Sequence, residues 1–371
     1  MIKDRKQKSD ALKYIVAKKW FPQLELVVLP KTPTAKSPAN ITDIDVLGLM
    51  PDELVGYRKL LIDCKTKKKE SPVNRALWLK GLMERTHASR GICLIDSKID
   101  KDHRMMASEL GVQLLSEVEF PNFVSATGGV FHSNVISNVA DIDRWDAFFE
   151  IDKKFVNFQE CLMFSRCHYW MCENDSEACR KTISAMIRIK TELNPRHEEH
   201  LALFGDLSAL FCKAIAVVSL KIFSIFMQPE HRDDLAESLL IIIYGGRETY
   251  ELMNKLRKKI NLPNGPDDLK LPEWDRFVQL IRSMLESPMQ ALLAPLILRE
   301  VAWSFLGSER NYDFARLLAR QSPQAAKFAL LAMEYMSKVT NIPPEFRQIY
   351  TEVLMDIQSI PVERQHPLLS Y

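Results

Sequence analysis

Hydrophobic and polar positions change their period about a third of the way along the chain. Up to about residue 119, short apolar runs that alternate every second residue are interleaved with runs spaced for a helix. "SDALKYIVAKKWF" opens with Ser9 as an N-cap and carries helical spacing at Leu12, Ile15 and Val16. "LELVVLP" is a short strand stopped by Pro30, and "KTPTAKSPAN" is a loop. "ITDIDVLGLM" and "YRKLLIDCK" read as two strands joined by the turn "PDELVG". "SPVNRALWLKGLMERTHA" is a helix capped by Ser71, with Pro72 at its first position and an apolar stripe at Ala76, Leu79, Leu82 and Met83. "GICLID" has the low polarity of a central strand, "KDHRMMASELG" is a short helix ending at Gly111, and "VQLLS" is a last strand. The order α-β-β-β-α-β-α-β predicts a mixed sheet with helices on its faces.

The pattern weakens through "PNFVSATGGVFHSNVISNV", read as a linker or a loop lying on the core. Beyond it almost only helical spacing is left, broken at "NPRHEEH", "QPEHRDD", "NLPNGPDDLKLPEWD", "GSERNYD" and "NIPPE". The expected organisation is an α/β domain over 1–120, a linker over 121–139 and an all-helical domain over 140–371. The most apolar stretch, Leu207–Met227, is interrupted by Lys213 and Lys221 and falls short of the roughly 18 apolar residues of a membrane span. It reads as a buried helix, with Phe204, Leu207, Leu210 and Phe211 inside and the two lysines reaching solvent or a carboxylate. No membrane contact is expected.

Composition changes this picture little: 47% hydrophobic and 26% charged residues in 371 are ordinary for a globular chain with a sizeable core. Charge changes it more. Residues 1–119 hold 22 Lys+Arg against 16 Asp+Glu, a balance of +6, and the rest hold 28 against 32, a balance of −4. A basic first third points to a polyanionic partner for that part. Seven cysteines in no secreted pattern, and an opening "MIKDRKQKSD" without an apolar signal region, point to a reducing, cytoplasmic setting.

The chemistry sits in "LLIDCKTKKK", residues 60–69. Alternation puts Asp63 and Lys65 on one face of a strand that is otherwise apolar, an expensive arrangement unless the charges pair, hold a metal or react. On the preceding strand Asp43 and Asp45 share a face, with Ile44 and Val46 on the other. As hairpin neighbours, the two strands bring the acids and the lysine to one end of the sheet. Carboxylates gathered so suit Mg²⁺ or Mn²⁺, which keeps several waters and also takes a phosphate oxygen, and the backbone carbonyl of Cys64 is a further candidate ligand. A lysine beside them orients or deprotonates water, or stabilises charge developing on a phosphate.

Over roughly residues 9–116 this pattern resembles the PD-(D/E)xK nuclease superfamily, the restriction-endonuclease-like fold. The resemblance rests on the acid in "TDIDVLG", the D-x-K in "IDCK", and the closing strand-helix-strand in "ICLID" and "MMASELGVQLLS". It implies that Asp45 and Asp63 are metal ligands, that Lys65 is the catalytic lysine, and that the reaction is Mg²⁺-dependent hydrolysis of DNA, in a restriction or defence setting. The chain departs from the family in having Ile44 rather than Pro before Asp45, in having Asp10 as the only acid of the first helix as read, and in offering Asp43 as a competing ligand. Beside such a site the cluster Lys67, Lys68 and Lys69, with Arg75 and Lys80 on the next helix, reads as a phosphate-contacting surface. The helical part would then recognise a partner protein, form a homodimer or restrain the nuclease. The alternative is a nuclease-like fold without activity, serving as a nucleic-acid or protein binding module.

Other chemistry-like patterns read as structure. Cys161, His168, Cys172 and Cys179 have the spacing of one buried helix face rather than of close zinc-binding pairs. "HEEH" at 197–200 lacks the i, i+4 histidines of a helical zinc site and reads as a helix N-terminal turn. "YGGRE" has too few glycines for a phosphate-binding loop.

Overall fold

The computed structural model describes residues 2–30, 40–65, 71–96, 98–131, 135–227, 229, 231–259 and 269–359. Helix α1 (Arg5–Ala17) leads into β1 (Phe21–Val28), β2 (Thr42–Asp52) and β3 (Gly56–Lys65). Then come α2 (Pro72–Thr86), β4 (Arg90–Ile95), α3 (Lys101–Glu109) and β5 (Val112–Ser116), the order read from the alternation. The strands lie in one sheet in chain order; β1–β2 and β2–β3 pair antiparallel, β3–β4 and β4–β5 parallel. A tight turn joins β2 to β3, and α2 and α3 carry the two crossovers that parallel pairing requires. The β2–β3 turn is built by the Asp52 side chain, which accepts from the amides of Leu54 (3.0 Å) and Val55 (3.1 Å), and by Gly56 at φ 82°. Ser71 caps α2 through the Asn74 amide, as its sequence signature requires.

Helix α1 starts four residues before the Ser9 cap read from the sequence. The polar run Arg5–Lys8 stays helical because Gln7 and Lys8 turn inward and find partners there.

The remainder is helical: α4 (Phe120–Ala126), α5 (Ile142–Phe149), α6 (Ile151–Lys154), α7 (Gln159–Arg166), α8 (Asp175–Ile189) and α9 (Glu198–Phe226). These are followed by α10 (Arg232–Ile243), α11 (Arg247–Lys259), α12 (Trp274–Leu285), α13 (Pro288–Ala291) and α14 (Ala294–Ser304). Last come α15 (Asp313–Gln321), α16 (Pro323–Thr340) and α17 (Pro344–Gln358). Each of the five breaks in helical spacing runs into the start of a helix: α9, α10, α12, α15 and α17 in turn; residues 228, 230 and 261–268 of these breaks lie outside the described residues. The segment over 121–139 holds most of α4, whose Phe120 and Phe123 pack on Tyr14 of α1, and a stretch where Ser137, Asn138 and Val139 are buried.

Helix α9 is the axis of the helical part, with α8, α12, α14 and α16 against it. Phe204, Leu207, Leu210 and Phe211 are fully buried, Lys213 pairs with Asp175 at 2.6 Å, and Lys221 is exposed. By length and composition α9 is apolar enough to cross a membrane, but 67% of its apolar window is buried inside the protein. Helix α14 approaches α9 closely at Gly205, where a Cβ would lie 2.6 Å from that of Ala302 and 1.9 Å from the Tyr350 hydroxyl. Gly205→Ala is therefore expected to cost about 1–3 kcal/mol through overpacking. A urea midpoint equal to the parent's would show this contact to be looser than described.

One buried core runs through sheet and helices. Polar links join the sheet to the helical part: the Tyr57 hydroxyl donates to the Leu292 carbonyl at 2.6 Å, and Arg299 donates to the Pro22 carbonyl at 2.5 Å. Next to Arg299, the Glu300 carboxyl accepts from the Ser137 hydroxyl and from the Asn138 amide at 2.8 Å. Burial pushes this carboxyl up to about 7, against those hydrogen bonds. Because its folded value lies above its unfolded one, the fold favours the protonated form. Its contribution is full below the ordinary glutamate range and is lost as pH rises through about 7. Urea unfolding should show the parent losing stability between pH 6 and 8 more steeply than Glu300→Gln. Parallel curves would assign the loss to another group.

The cysteine stripe is a correction. Cys161, Cys167 and Cys179 are buried, but the chain breaks at Cys167 into a 3-10 turn over His168–Met171 before α8 begins, so no single helix carries them. His168 is exposed and Cys172 half-buried. All seven cysteines are free thiols.

Candidate active site

The β2–β3 ladder ends at Val46 opposite Ile62. The next residues in register are Asp45 and Asp63, where the strands part. Strand β3 stays in the sheet through β4, with Asp63 beside Cys93, Cys64 beside Leu94 and Lys65 beside Ile95. Asp45 bridges the gap with its side chain: Oδ2 accepts the Cys64 amide at 2.7 Å. Asp45 is thus bonded to the residue between Asp63 and Lys65. The charges of both Asp45 and Lys65 are felt at Asp63. The Lys65 carbonyl accepts from the Gln7 side chain at 3.3 Å and from the Asp96 amide at 3.2 Å, which fixes the backbone below the lysine.

Both acids are buried and both face a cation. Lys8 of α1 meets Asp45 at 2.8 Å and also binds Glu25 of β1. Burial lowers the Lys8 ammonium, but the two carboxylates outweigh it and hold it above the ordinary lysine range. Asp63 is gripped by both arms of the Arg75 guanidinium, whose carbon lies 3.7 Å from the Trp78 ring centroid. Burial pushes the Asp63 carboxyl up; Arg75 and Lys65 oppose the rise and Asp45 adds to it.

Glu25 marks a distortion in β1. Its φ is 51°, in the left-handed region, and the β1–β2 ladder keeps one register on both sides of it while leaving Glu25 and Asp45 unpaired. Strain of this kind collects where a site needs a particular geometry.

The structure separates the other acids from this group. Asp43 is exposed at the start of β2, and its charge reaches the Cys167 thiol. Asp10 stands two residues from Lys8, about 200° round the helix, and its charge acts on Lys6. Neither joins Asp45 and Asp63. Arg75, expected on a phosphate-contacting surface, is turned inward onto Asp63, and Lys80 pairs with Glu84 at 2.7 Å. Lys67, Lys68 and Lys69 lie outside the described residues.

Three residues here went unread in the sequence: Gln7, Lys8 and Glu25. Glu25 carried the signal that exposed Asp63, a lone acid in an apolar strand. Gln7 and Lys8 were hidden by placing the helix start at Ser9.

Among the described residues no group of three or more His, Cys, Asp or Glu side chains forms a metal-binding arrangement. The acids instead form a pair. Magnesium is commonly held by one or two carboxylates with water completing its shell, so two buried oxygen ligands and a peptide carbonyl are a fitting donor set. A metal there would have to take the places of Lys8 and Arg75. Comparison with known proteins finds no family model, no curated protein and no solved structure that matches the chain.

Proposed function

We propose that the protein is a metal-dependent nuclease of the PD-(D/E)xK type that hydrolyses phosphodiester bonds in DNA, acting in a reducing compartment. The observation that carries this reading is the opening of the β2–β3 ladder, where Asp45 and Asp63 lie side by side with Lys65 two residues further along β3. In this reading Asp45, Asp63 and the Cys64 carbonyl hold Mg²⁺ or Mn²⁺, whose charge polarises a phosphoryl group and acidifies bound water. Lys65 places its ammonium against the phosphate oxygens, where negative charge grows as the bond to phosphorus breaks. Gln7 holds the Lys65 backbone, and Lys8 and Arg75 are the charge partners of the two buried acids. The basic balance of the first third supplies attraction for the polyanion.

A second reading is supported by the same ion pairs. A site whose acids are both satisfied by internal cations resembles one that has given up its metal, and the fold would then serve as a nucleic-acid or protein binding module. One experiment separates the two. The purified protein is incubated with plasmid, single-stranded DNA and RNA, with Mg²⁺, with Mn²⁺ or with chelator, and Mn²⁺ binding is titrated in parallel on parent and Asp63→Asn. The nuclease reading expects metal-dependent cleavage, and Mn²⁺ binding that Asp63→Asn weakens. No measurable metal binding by the parent would establish the binding module.

A further inference from the structure

A cavity of about 620 Å³ opens between the sheet and the helical part, away from Asp45 and Asp63. Leu47 and Leu61 line its sheet side, and Thr86, at the end of α2, and Trp170 line its walls. A recess of about 140 Å³ shares Lys59, Trp170, Cys172 and Glu173 with it and reaches Asp175 on α8 and Lys213 on α9.

Charge around Lys59 is out of balance. The Lys59 ammonium donates to the Thr86 carbonyl at 2.9 Å, and among the described residues it makes no ion pair. The carboxylate whose charge reaches it, Asp175, is bound to Lys213 at 2.6 Å. Two ammonium groups therefore share one carboxylate inside the protein. Burial, and then the charge of Lys213, push Lys59 down to about 8. A buried charge without a partner is costly, and an anion seated here would relieve it. Aromatic rings form part of the wall. Tyr57 and Tyr169 put their rings 5.7 and 5.6 Å from the Lys213 ammonium, and the Trp170 indole is pinned by a 2.8 Å bond from Nε1 to the Ser165 carbonyl. A pinned indole is a ready stacking surface. Glu173, which is exposed, lines both the recess and the cavity, and Glu177, which lines only the cavity, is held by Lys181 at 2.8 Å. Lys59 and Lys213 both line the recess, so an anionic head belongs at that end. The volume lies within the ~300–1,000 Å³ usual for small-molecule sites.

We propose that this cleft binds a small phosphate ester bearing an aromatic ring, of mononucleotide size, with its phosphate against Lys59 and Lys213 and its ring against Trp170. The site does not depend on the nuclease reading, since neither Asp45 nor Asp63 lines it. The test is calorimetric titration of the full chain with AMP, ribose 5-phosphate, inorganic phosphate and adenosine. AMP should bind most tightly, ribose 5-phosphate and phosphate more weakly, and adenosine not measurably. Lys59→Met should weaken AMP about tenfold or more, and its Tm without ligand should not fall, because it removes an uncompensated cation at nearly constant volume. Trp170→Leu, an independent variant, should weaken AMP while leaving phosphate unchanged. Failure of both AMP and phosphate to bind at millimolar concentration would overturn the proposal. So would unchanged AMP affinity in Lys59→Met or Trp170→Leu, or adenosine binding as well as AMP.

Discussion

Arg299→Ala should lose about 3–5 kcal/mol of stability, measured as a drop in the urea midpoint. Arg299 and Asp206 are both fully buried and meet at 2.7 Å. Asp206 also accepts the Ser165 hydroxyl at 2.5 Å, while Arg299 donates to Pro22 and lays its guanidinium 4.1 Å from the Phe21 ring centroid. One residue of α14 thus ties α9 to the first strand of the sheet. Truncating it leaves the Asp206 carboxylate in the core with a single hydroxyl, and strips the Pro22 carbonyl of its donor. The large cost comes from that stranded charge rather than from the pair's own strength, because two desolvated ions roughly cancel their attraction. The double variant Arg299→Met with Asp206→Leu should therefore recover most of the loss. A single variant within about 1 kcal/mol of the parent would mean that water reaches Asp206 and that the Arg299 link adds little to the joint between sheet and helices.

The sheet was legible because its strands follow simple rules. The alternation in "YRKLLIDCK", the turn residues of "PDELVG" and the Ser71–Pro72 helix start each have one local solution, and β3 and α2 begin within a residue of where those signals put them. Signals spread over distance were harder. The cysteine spacing from 161 to 179 fits one helix face, yet tertiary packing stops α7 at Arg166 and restarts the chain at Asp175. At the candidate site, Asp45, Asp63 and Lys65 stood out as charges in apolar strands. Their partners did not, because pairing Lys8 with Asp45 depends on how α1 crosses the sheet, which no local pattern states. In the sequence, its place in a basic cluster puts Arg75 on a phosphate-contacting surface. Its inward turn follows from the buried Asp63 carboxylate, which attracts a bidentate cation more strongly than water does.

Lys65→Ala should slow cleavage a hundredfold or more, about 3 kcal/mol of transition-state stabilisation, while most DNA binding persists. The two effects part because one lysine is a small share of the phosphate attraction but stands where charge develops. Lys8→Met should behave differently. If the acids hold a metal, that metal and Lys8 would compete for Asp45, and removing the lysine leaves Asp45 buried without its cation. The variant should be less stable in chelator, and added Mg²⁺ should raise its Tm more than it raises the parent's. That thermal readout needs no turnover, so it tests the metal site even if the right substrate is not in the assay. If Mg²⁺ moves neither Tm, the two acids serve only as partners for Lys8 and Arg75. If Lys65→Ala then also cleaves as the parent does, the acid and lysine of β3 are structural, and whatever cleaves the DNA lies elsewhere in the chain.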